Sequence, residues 1–412
     1  MGELAAIGPR AGPYRAARRP RRRTLSYSPT AIAAFIAVFG LAFVPALGSK
    51  GVLLFLMAGM FLVVGRFGES LGALRREWLI VLLTLWCVMS FGWSDYPALS
   101  LRHGIQLLLT VMIGVVIGYR VAPMTFLKVV FLTSSLTALA SLLVRRARAD
   151  GEGYLGIYSS KNALADASSV LILAAMAVLL DRRLSWRWRL PALVSLALGA
   201  LLLVMGQSSG ALVSTLAVIL VFGSLVLLQR LTPVMRLVAV ALVLVLSAAI
   251  AVALSSFADE LAQIFLDLTG KDITLTGRTA LWAVALGEIA ERPLLGTGFQ
   301  AFWVHGQPLA EQLWAEFYIE SRQGFHFHNT LISNAVEIGV LATALQMFVF
   351  IGALWSCLGW SIRRPSAASV FFALFMVRLF LLMWIEVVYF YQFALATLII
   401  TVAICYGRRF RT

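Results

Sequence analysis

Long apolar runs follow one another along most of this sequence, and they constrain the fold more than any other feature. A helix needs about 20 predominantly apolar residues to cross a bilayer. Hydrophobic residues make up 61% of the chain and charged residues 13%, with a mean hydropathy of +0.90, so a water-soluble core could not bury them all. The sequence therefore predicts an all-α integral membrane protein with about 12 transmembrane helices, at 29–47, 51–65, 78–92, 104–119, 123–144, 163–180, 190–206, 210–228, 234–256, 331–357, 367–385 and 387–406.

Successive spans place the loops alternately on the two sides of the membrane, and basic residues are distributed unequally between these two sides. Most Lys and Arg residues fall on the side that holds both termini, and the positive-inside rule then places the termini in the cytoplasm. A net charge of +15 can indicate nucleic acid, but these cations cluster between apolar runs, as topogenic charges do. We therefore expect a multi-pass protein of the cytoplasmic membrane, with no nucleic-acid partner.

The same pattern divides the chain into four segments. Residues 1–28 are predicted to be a basic, disordered cytoplasmic tail, and 29–256 the first nine spans. Residues 257–330 form a long loop whose apolar spacing predicts helices at 257–268 and 278–292, the second ended by a proline. Because long loops between spans are usually functional, we expect an outer helical cap there. Residues 331–412 hold the last three spans and a short basic cytoplasmic tail.

Residues suited to chemistry concentrate in this cap. Arg278 opens a predicted helix, where free N–H groups and the helix dipole add to its guanidinium and suit phosphate oxygens. His328 and Asn329 lie where the cap re-enters the membrane, and a histidine there can act as a base, an acid or a phosphate partner. A solvated arginine and an ordinary interfacial histidine are the structural alternatives. His326 completes an H-x-H pair, but no third ligand is apparent nearby, so no metal is expected.

Further cations lie in outer loops that the positive-inside rule would leave neutral. A phosphate-bearing ligand would balance their charge, and interfacial lipid headgroups explain them equally well. The candidate ligand-binding cations are Arg102, Arg145, Arg146 and Lys161, and Asn162, which follows Lys161, is added to them.

Two ionisable residues interrupt the last long apolar run. An intramembrane arginine is costly and rarely faces lipid, so Arg378 is expected to meet a buried partner or ligand. On one continuous helix, Arg378 and Glu386 would lie about 12 Å apart along the axis. We expect them to line one cavity near the outer surface.

Several motifs resemble those of the O-antigen ligase and polymerase superfamily of bacterial inner-membrane proteins. They are G-R-x-x-L-W at 277–282, R-P-L-L-G-x-G-F at 292–299, and H-N at 328–329 followed by E-x-G at 337–339. The segment L-G-I-Y-S-S-K-N-A-L at 155–164 is similar to exopolysaccharide polymerase-like members. The resemblance spans roughly residues 90–345, and Ala342 departs from the family pattern, which has a second glycine.

The resemblance implies a C-type glycosyltransferase-like membrane fold with a periplasmic cap. It also implies a glycan donor on undecaprenyl pyrophosphate at the periplasmic face of the bacterial inner membrane, without metal, nucleotide or other cofactor. By matching position, Arg278 would contact the pyrophosphate, and His328 would activate the acceptor hydroxyl or contact the leaving group. Lys161 and Asn162 would lie near the donor.

The acceptor separates two activities within this superfamily. A polymerase transfers to another lipid-linked glycan, which the K-N form at 161–162 favours, and a ligase transfers to lipid A core or another terminal acceptor. The implied partners are a lipid-linked glycan donor, an acceptor glycan or glycolipid, and the lipids of the inner membrane.

Two other classes of protein fit about 12 spans. A lipid-linked glycan flippase or transporter predicts charged residues along a midplane path and a two-half repeat, whereas this sequence shows no convincing repeat and concentrates its features in one cap. A non-enzymatic scaffold leaves the cap motifs unexplained. We therefore predict a catalytic pair, Arg278 and His328, with pyrophosphate or glycan bound by Arg102, Arg145, Arg146, Lys161, Asn162, Asn329, Arg378 and Glu386.

Overall fold

The computed structural model describes residues 28–148, 151, 153–239, 241, 242, 245, 277–322 and 324–410. These residues are mostly helical, with one isolated bridge between Ala147 and Tyr154. The first helices are α1 (Pro29–Ala42), α2 (Val44–Leu47), α3 (Ser49–Gly65), α4 (Phe67–Arg76), α5 (Trp78–Met89), α6 (Pro97–Arg120), α7 (Pro123–Val144), α8 (Lys161–Leu180), α9 (Trp186–Met205) and α10 (Ser209–Arg230). After residue 277 they are α11 (Arg278–Glu291), α12 (Pro308–Glu316), α13 (Thr330–Arg363), α14 (Ala367–Leu382) and α15 (Leu395–Phe410).

Five of the described helices are long and apolar enough to cross a membrane: α6, α7, α8, α9 and α13. Helices α3 and α4 pass the same test only as a pair, and the chain bends by 98° between them. Shorter apolar helices are α1, α14, the segment Trp78–Gly92 and the first part of α10. The all-α membrane architecture is therefore confirmed, whereas the count of 12 spans stays a prediction.

Helix bounds match several predicted spans and differ at the end of the chain. The predicted span 123–144 coincides with α7. The predicted spans 367–385 and 387–406 are instead separated by the non-helical residues 383–394, so a brief break at Glu386 was the wrong expectation. Most of the predicted 234–256 span, the 257–268 helix and the N-terminal tail lie outside the described residues.

The described part of the predicted cap contains two helices around an apolar cluster of their own. Helix α11 confirms the helix predicted at 278–292, and α12 was not predicted. Buried residues from both helices and from the segments beside them form the cluster: Leu281, Ala285, Phe302, Ala310, Leu313, Trp314, Phe327 and Val336. This packing joins α11 and α12 to each other next to the start of α13.

The segment after α11 docks onto a break in α13. Helix α13 is interrupted at Gly339, which has φ 81° and ψ 163°. There the N–H of Val340 donates to the carbonyl of Pro293 over 2.8 Å. A Cβ at position 339 would lie 2.1 Å from the carbonyl oxygen of Leu294, so only glycine allows this approach.

Further bonds hold the two motifs together. The N–H of Gly298 donates to the carbonyl of Glu337 over 3.0 Å, and the N–H of Gln300 donates to the Glu337 carboxylate over 3.1 Å. From the other side, Trp86 Nε1 donates to the carbonyl of Ile338 over 3.0 Å. The R-P-L-L-G-x-G-F motif after α11 is therefore joined to the E-x-G motif in α13.

Candidate functional site

The carboxylate of Glu386 is the meeting point of four side chains from distant parts of the chain. Its Oε1 accepts from Asn162 Nδ2 over 3.0 Å and lies 3.8 Å from Arg278 Nη2. Its Oε2 lies 3.4 Å from His328 Nδ1 and 3.6 Å from His326 Nε2. The side chains of the two histidines, Arg278 and Glu386 are only 16% to 23% exposed. We call these five residues the Glu386 cluster.

Two helix starts present residues of this cluster. Arg278 is the first residue of α11 and follows Gly277, whose φ of 79° lies in the left-handed region. Asn162 is the second residue of α8, and the hydroxyl of Ser160 caps that helix by accepting from the N–H of Ala163. The first N–H groups of a helix lack partners within it, so both starts add positive potential near Glu386.

The start of α13 clamps the segment that carries Glu386. Thr330 Oγ1 donates to the carbonyl of Glu386 over 2.7 Å, and the N–H of Thr330 donates to the carbonyl of Met383 over 2.8 Å. Asn329 Nδ2 donates to the carbonyl of Trp384 over 3.2 Å, while its Oδ1 caps α13. These bonds hold Glu386 beside His328, so Asn329 and Thr330 position the cluster.

The hydrogen-bond pattern fixes which nitrogen of each histidine carries a proton. The backbone N–H of His328 donates to Nδ1 of His326 over 3.1 Å, so a neutral His326 carries its proton on Nε2, towards Glu386. An ionised carboxylate only accepts hydrogen bonds, so Nδ1 of His328 is the donor to Glu386. The lone pair of a neutral His328 therefore lies on Nε2.

Two pKa shifts agree with this assignment. Burial raises the pKa of Glu386, but the hydrogen bond from His328 and favourable electrostatic interactions with His326, His328 and Arg278 outweigh burial and leave that pKa below its ordinary value. Burial lowers the pKa of His326 to about 4, and the neighbouring His328 acts in the same direction. Near neutral pH, Glu386 is thus ionised and His326 is neutral.

A cavity of about 390 Å³ adjoins the cluster. One part of its wall is polar and includes Asn162, Asp166, His326, Glu386 and Tyr391. The rest is largely apolar and comes from several helices, with Leu41, Val44, Val170, Ala211, Leu382 and Leu395 among its residues. An apolar slot with a few convergent polar groups is typical of a ligand site.

Arg378 has an acidic partner, Asp166, although the Asp166 side chain is half-buried rather than buried as the sequence predicted. The side chain of Arg378 is completely buried, and its Nη1 donates to Asp166 Oδ1 over 2.6 Å. Among the described residues, its Nε and Nη2 have no hydrogen-bond partner. The expectation that Arg378 and Glu386 share a helix was wrong, because α14 ends at Leu382. Asp166 was missed by sequence reasoning, although an acidic residue inside an apolar run could have indicated it.

Besides Asn329 and Arg378, four further residues predicted to bind ligand lie outside the Glu386 cluster. Arg102 is exposed near the start of α6, and Arg145 is exposed at the end of α7. Arg146 donates to the carbonyl of Tyr158. Lys161 lines a neighbouring cavity of about 360 Å³. For these four residues, contact with a substrate stays a prediction.

The spacing of three cluster residues would also suit a metal ion. Ligand atoms of His326, His328 and Glu386 lie within 4.8 Å of one another. Glu386 is the third ligand that the sequence did not reveal, since it lies 58 residues from His328. A metal on Nε2 of His326 would shift the proton of that ring to Nδ1, which already accepts the N–H of His328. The observed bonds therefore suit a carboxylate surrounded by donors better than a metal centre.

Comparison with known proteins agrees with the motifs described above. Residues 194–347 match the O-antigen ligase family. The exopolysaccharide production protein ExoQ of Rhizobium meliloti (strain 1021) is 31% identical over 324 residues, which cover 78% of this chain and 74% of that protein. The matched family region contains Arg278 and His328, whereas Glu386 lies beyond it. The resemblance found in the sequence is thus confirmed, and this chain belongs to the O-antigen ligase and polymerase superfamily.

Proposed function

We propose that this chain is a membrane glycosyltransferase. It transfers a glycan from undecaprenyl pyrophosphate to an acceptor hydroxyl at the periplasmic face, and we favour a polymerase of bacterial surface polysaccharide. The observation that carries the proposal is the convergence of Asn162, Arg278 and His328 on Glu386 beside an amphipathic cavity. Membership of the superfamily supports a lipid-linked glycan as the substrate class.

The cavity and Arg278 suit the two parts of such a donor. The apolar wall matches a polyprenyl chain. The polar wall carries the carboxyl groups of Asp166 and Glu386 and no arginine or lysine, so we assign the pyrophosphate to Arg278 beside the cluster. Arg278 is separated from Glu386 by 3.8 Å, which is long for an ion pair and leaves its guanidinium able to bind phosphate oxygens. The start of α11 adds the positive end of a helix dipole at the same place.

His328 is suited to act as the general base. Nε2 of His328 takes the proton of the acceptor hydroxyl while that oxygen attacks C1 of the donor sugar. The bond from C1 to the pyrophosphate oxygen breaks, and its electron pair leaves with undecaprenyl pyrophosphate, so the configuration at C1 is inverted. Arg278 stabilises the negative charge on the leaving group, and Glu386 stabilises the imidazolium until the proton passes to solvent. These steps require no metal, nucleotide or other cofactor.

A ligase is the second candidate, and it differs only in the acceptor. The matched family is described as O-antigen ligase, which supports transfer to lipid A core or another terminal acceptor. The relative is described as an exopolysaccharide production protein, which supports the polymerase, as does the K-N form at 161–162.

Reconstitution of the purified protein in proteoliposomes with a lipid-linked repeat unit tests the proposal. A ladder of lengthened glycans on the lipid, with release of undecaprenyl pyrophosphate, is the expected result. A single transfer to an added lipid A core acceptor would identify the ligase. Movement of the glycan across the bilayer without a new glycosidic bond would identify a flippase and would contradict both activities.

A further inference from the structure

A further cavity, of about 560 Å³, lies where helices α7 and α14 begin, away from the Glu386 cluster. Helix α7 begins at this cavity with Pro123 and runs for 22 residues, about 33 Å, towards the loop before α8. Helix α14 also begins there and ends at Leu382, shortly before Glu386. The cavity is lined by Ala122, Pro123, Met124, Arg183, Trp360, Arg364, Pro365, Ser366, Ala368 and Phe410.

All the charged residues that line this cavity are arginines. Arg183 and Arg364 are both exposed, and the lining contains no acidic residue. Among the described residues, the structure shows no side-chain acceptor for either guanidinium. Nearby Arg409 differs, because it donates to the carbonyls of Gly118 and Tyr119. The cavity therefore presents two arginines that are available to an anion.

The surrounding groups strengthen this positive field. Pro123 is in the first turn of α7, and Ser366 is the N-cap of α14, so two positive helix ends open at the cavity. Arg182 and Arg363 lie next in sequence to the two lining arginines. The nearest acidic residue in sequence, Asp181, accepts from the backbone N–H of Arg183 over 3.0 Å.

Aromatic residues indicate that the cavity lies at the height of lipid headgroups. The ring of Trp360 stacks on that of Phe410 with centroids 5.2 Å apart, and both line the cavity. Lys128 is in the second turn of α7, and its Nζ lies 4.5 Å from the ring centroid of Trp188. Trp186 is 69% exposed. Tryptophan and cations together at helix ends are typical of the membrane interface.

We propose that this cavity binds the phosphate headgroup of an anionic phospholipid. Arg183 and Arg364 pair with the phosphate, and the rings of Trp360 and Phe410 contact the glycerol and the first carbons of the acyl chains. A membrane lipid fits better than a soluble anion because the same cavity offers apolar and cationic walls. The site is independent of the Glu386 cluster and of the proposed transferase activity.

Binding of a fluorescent phosphatidylglycerol to the purified full-length protein in detergent tests the site, with phosphatidylcholine as the neutral comparison. In the double variant Arg183→Gln/Arg364→Gln, we expect affinity for phosphatidylglycerol to fall about 30-fold, since each cation near an anionic surface contributes about fivefold. The matched control is Arg182→Gln/Arg363→Gln, which has the same net charge and changes residues outside the lining. Its affinity should change by less than about threefold.

The Arg183→Lys/Arg364→Lys variant separates loss of charge from loss of folding, and it should recover most of the affinity. Equal losses in the two glutamine variants would show that net charge alone attracts the lipid and would overturn the proposal. Equal affinity of the wild-type protein for phosphatidylcholine would overturn it too.

Discussion

Asn162 Nδ2 donates to Glu386 Oε1 over 3.0 Å, although the two residues are 224 positions apart in the chain. This bond joins the start of α8 to the non-helical segment between α14 and α15. The same carboxylate meets Arg278 and His328, which come from the cap. One acidic side chain therefore assembles the candidate site.

Loss of either proposed catalytic side chain should abolish measurable transfer. We expect Arg278→Ala and His328→Ala each to lower kcat by at least about 100-fold, because one removes charge stabilisation and the other removes the base. Matched controls are Arg322→Ala, which loses an exposed pair with Glu311, and His305→Ala, whose side chain is 66% exposed. Both controls should keep near wild-type rates in reconstituted glycan transfer. Wild-type rates in either test variant would remove that residue from the mechanism.

The hydroxyl of Thr330 should matter through the position of Glu386. Thr330→Val keeps the shape but removes both the bond to the Glu386 carbonyl and the bond from the Val388 N–H, so we expect kcat to fall about tenfold and Tm to fall as well. Thr330→Ser should retain most activity. Thr343→Val is the control, because the buried hydroxyl of Thr343 bonds only to the carbonyl of Gly339 in its own helix. Equal kcat in the two valine variants would show that the clamp does not set the rate.

The pair of Arg378 and Asp166 should behave as one unit in stability measurements. Arg378→Leu leaves the Asp166 carboxylate without its partner and should cost about 1–2 kcal/mol, less than a fully buried pair because the Asp166 side chain is 36% exposed. The double variant Asp166→Leu/Arg378→Leu should recover part of that loss. Thermal unfolding in detergent measures the loss of stability in the single variants and in the double variant. If the loss in the double variant equals the sum of the losses in Arg378→Leu and in Asp166→Leu alone, the two residues do not stabilise each other.

The contribution of His326 to stability should be lost as the pH drops from about 6.5 towards 4. The folded state holds the pKa of His326 at about 4, below its ordinary value of about 6.5, so in this range the unfolded state takes up a proton that the folded state does not. This effect is at most roughly 3 kcal/mol. Glu386, whose pKa is lowered, contributes stability above its ordinary pKa of about 4.3 and loses it at still lower pH.

The variant His326→Gln separates these two effects. It should remove the His326 contribution, so that Tm at pH 4 relative to Tm at pH 6.5 is higher than in the wild-type protein, and it should leave the loss at lower pH. An unchanged profile would show that His326 is not the buried neutral group described above.

Features that depend on neighbouring residues could be predicted from the sequence. The start of α11 at Arg278, its end before Pro293 and the bounds of α7 follow from helix-start signals, prolines and apolar runs. The break near Glu386 was also visible, because a charged residue interrupts an apolar run. The length of this break could not be predicted, because residues 383–394 are held in a non-helical conformation partly by bonds to Asn329 and Thr330.

Features that depend on distant contacts could not be predicted. Nothing near Glu386 in the sequence indicates Asn162, Arg278 or His328 as its neighbours. The E-x-G motif at 337–339 does not indicate that Gly339 marks a break in a helix onto which the segment after α11 docks. Asp166 as the partner of Arg378 likewise depends on how α8 packs against α14.

A double-mutant cycle on Glu386 and His328 tests the central claim most directly, which is that Glu386 acts through His328. The measurement is kcat/KM for glycan transfer by the wild-type protein, Glu386→Gln, His328→Ala and the double variant. If Glu386 fixes the proton on His328 Nδ1 and leaves Nε2 as the base, the double variant will be no slower than His328→Ala alone. If the two losses multiply instead, the residues act independently and the proposed mechanism is wrong.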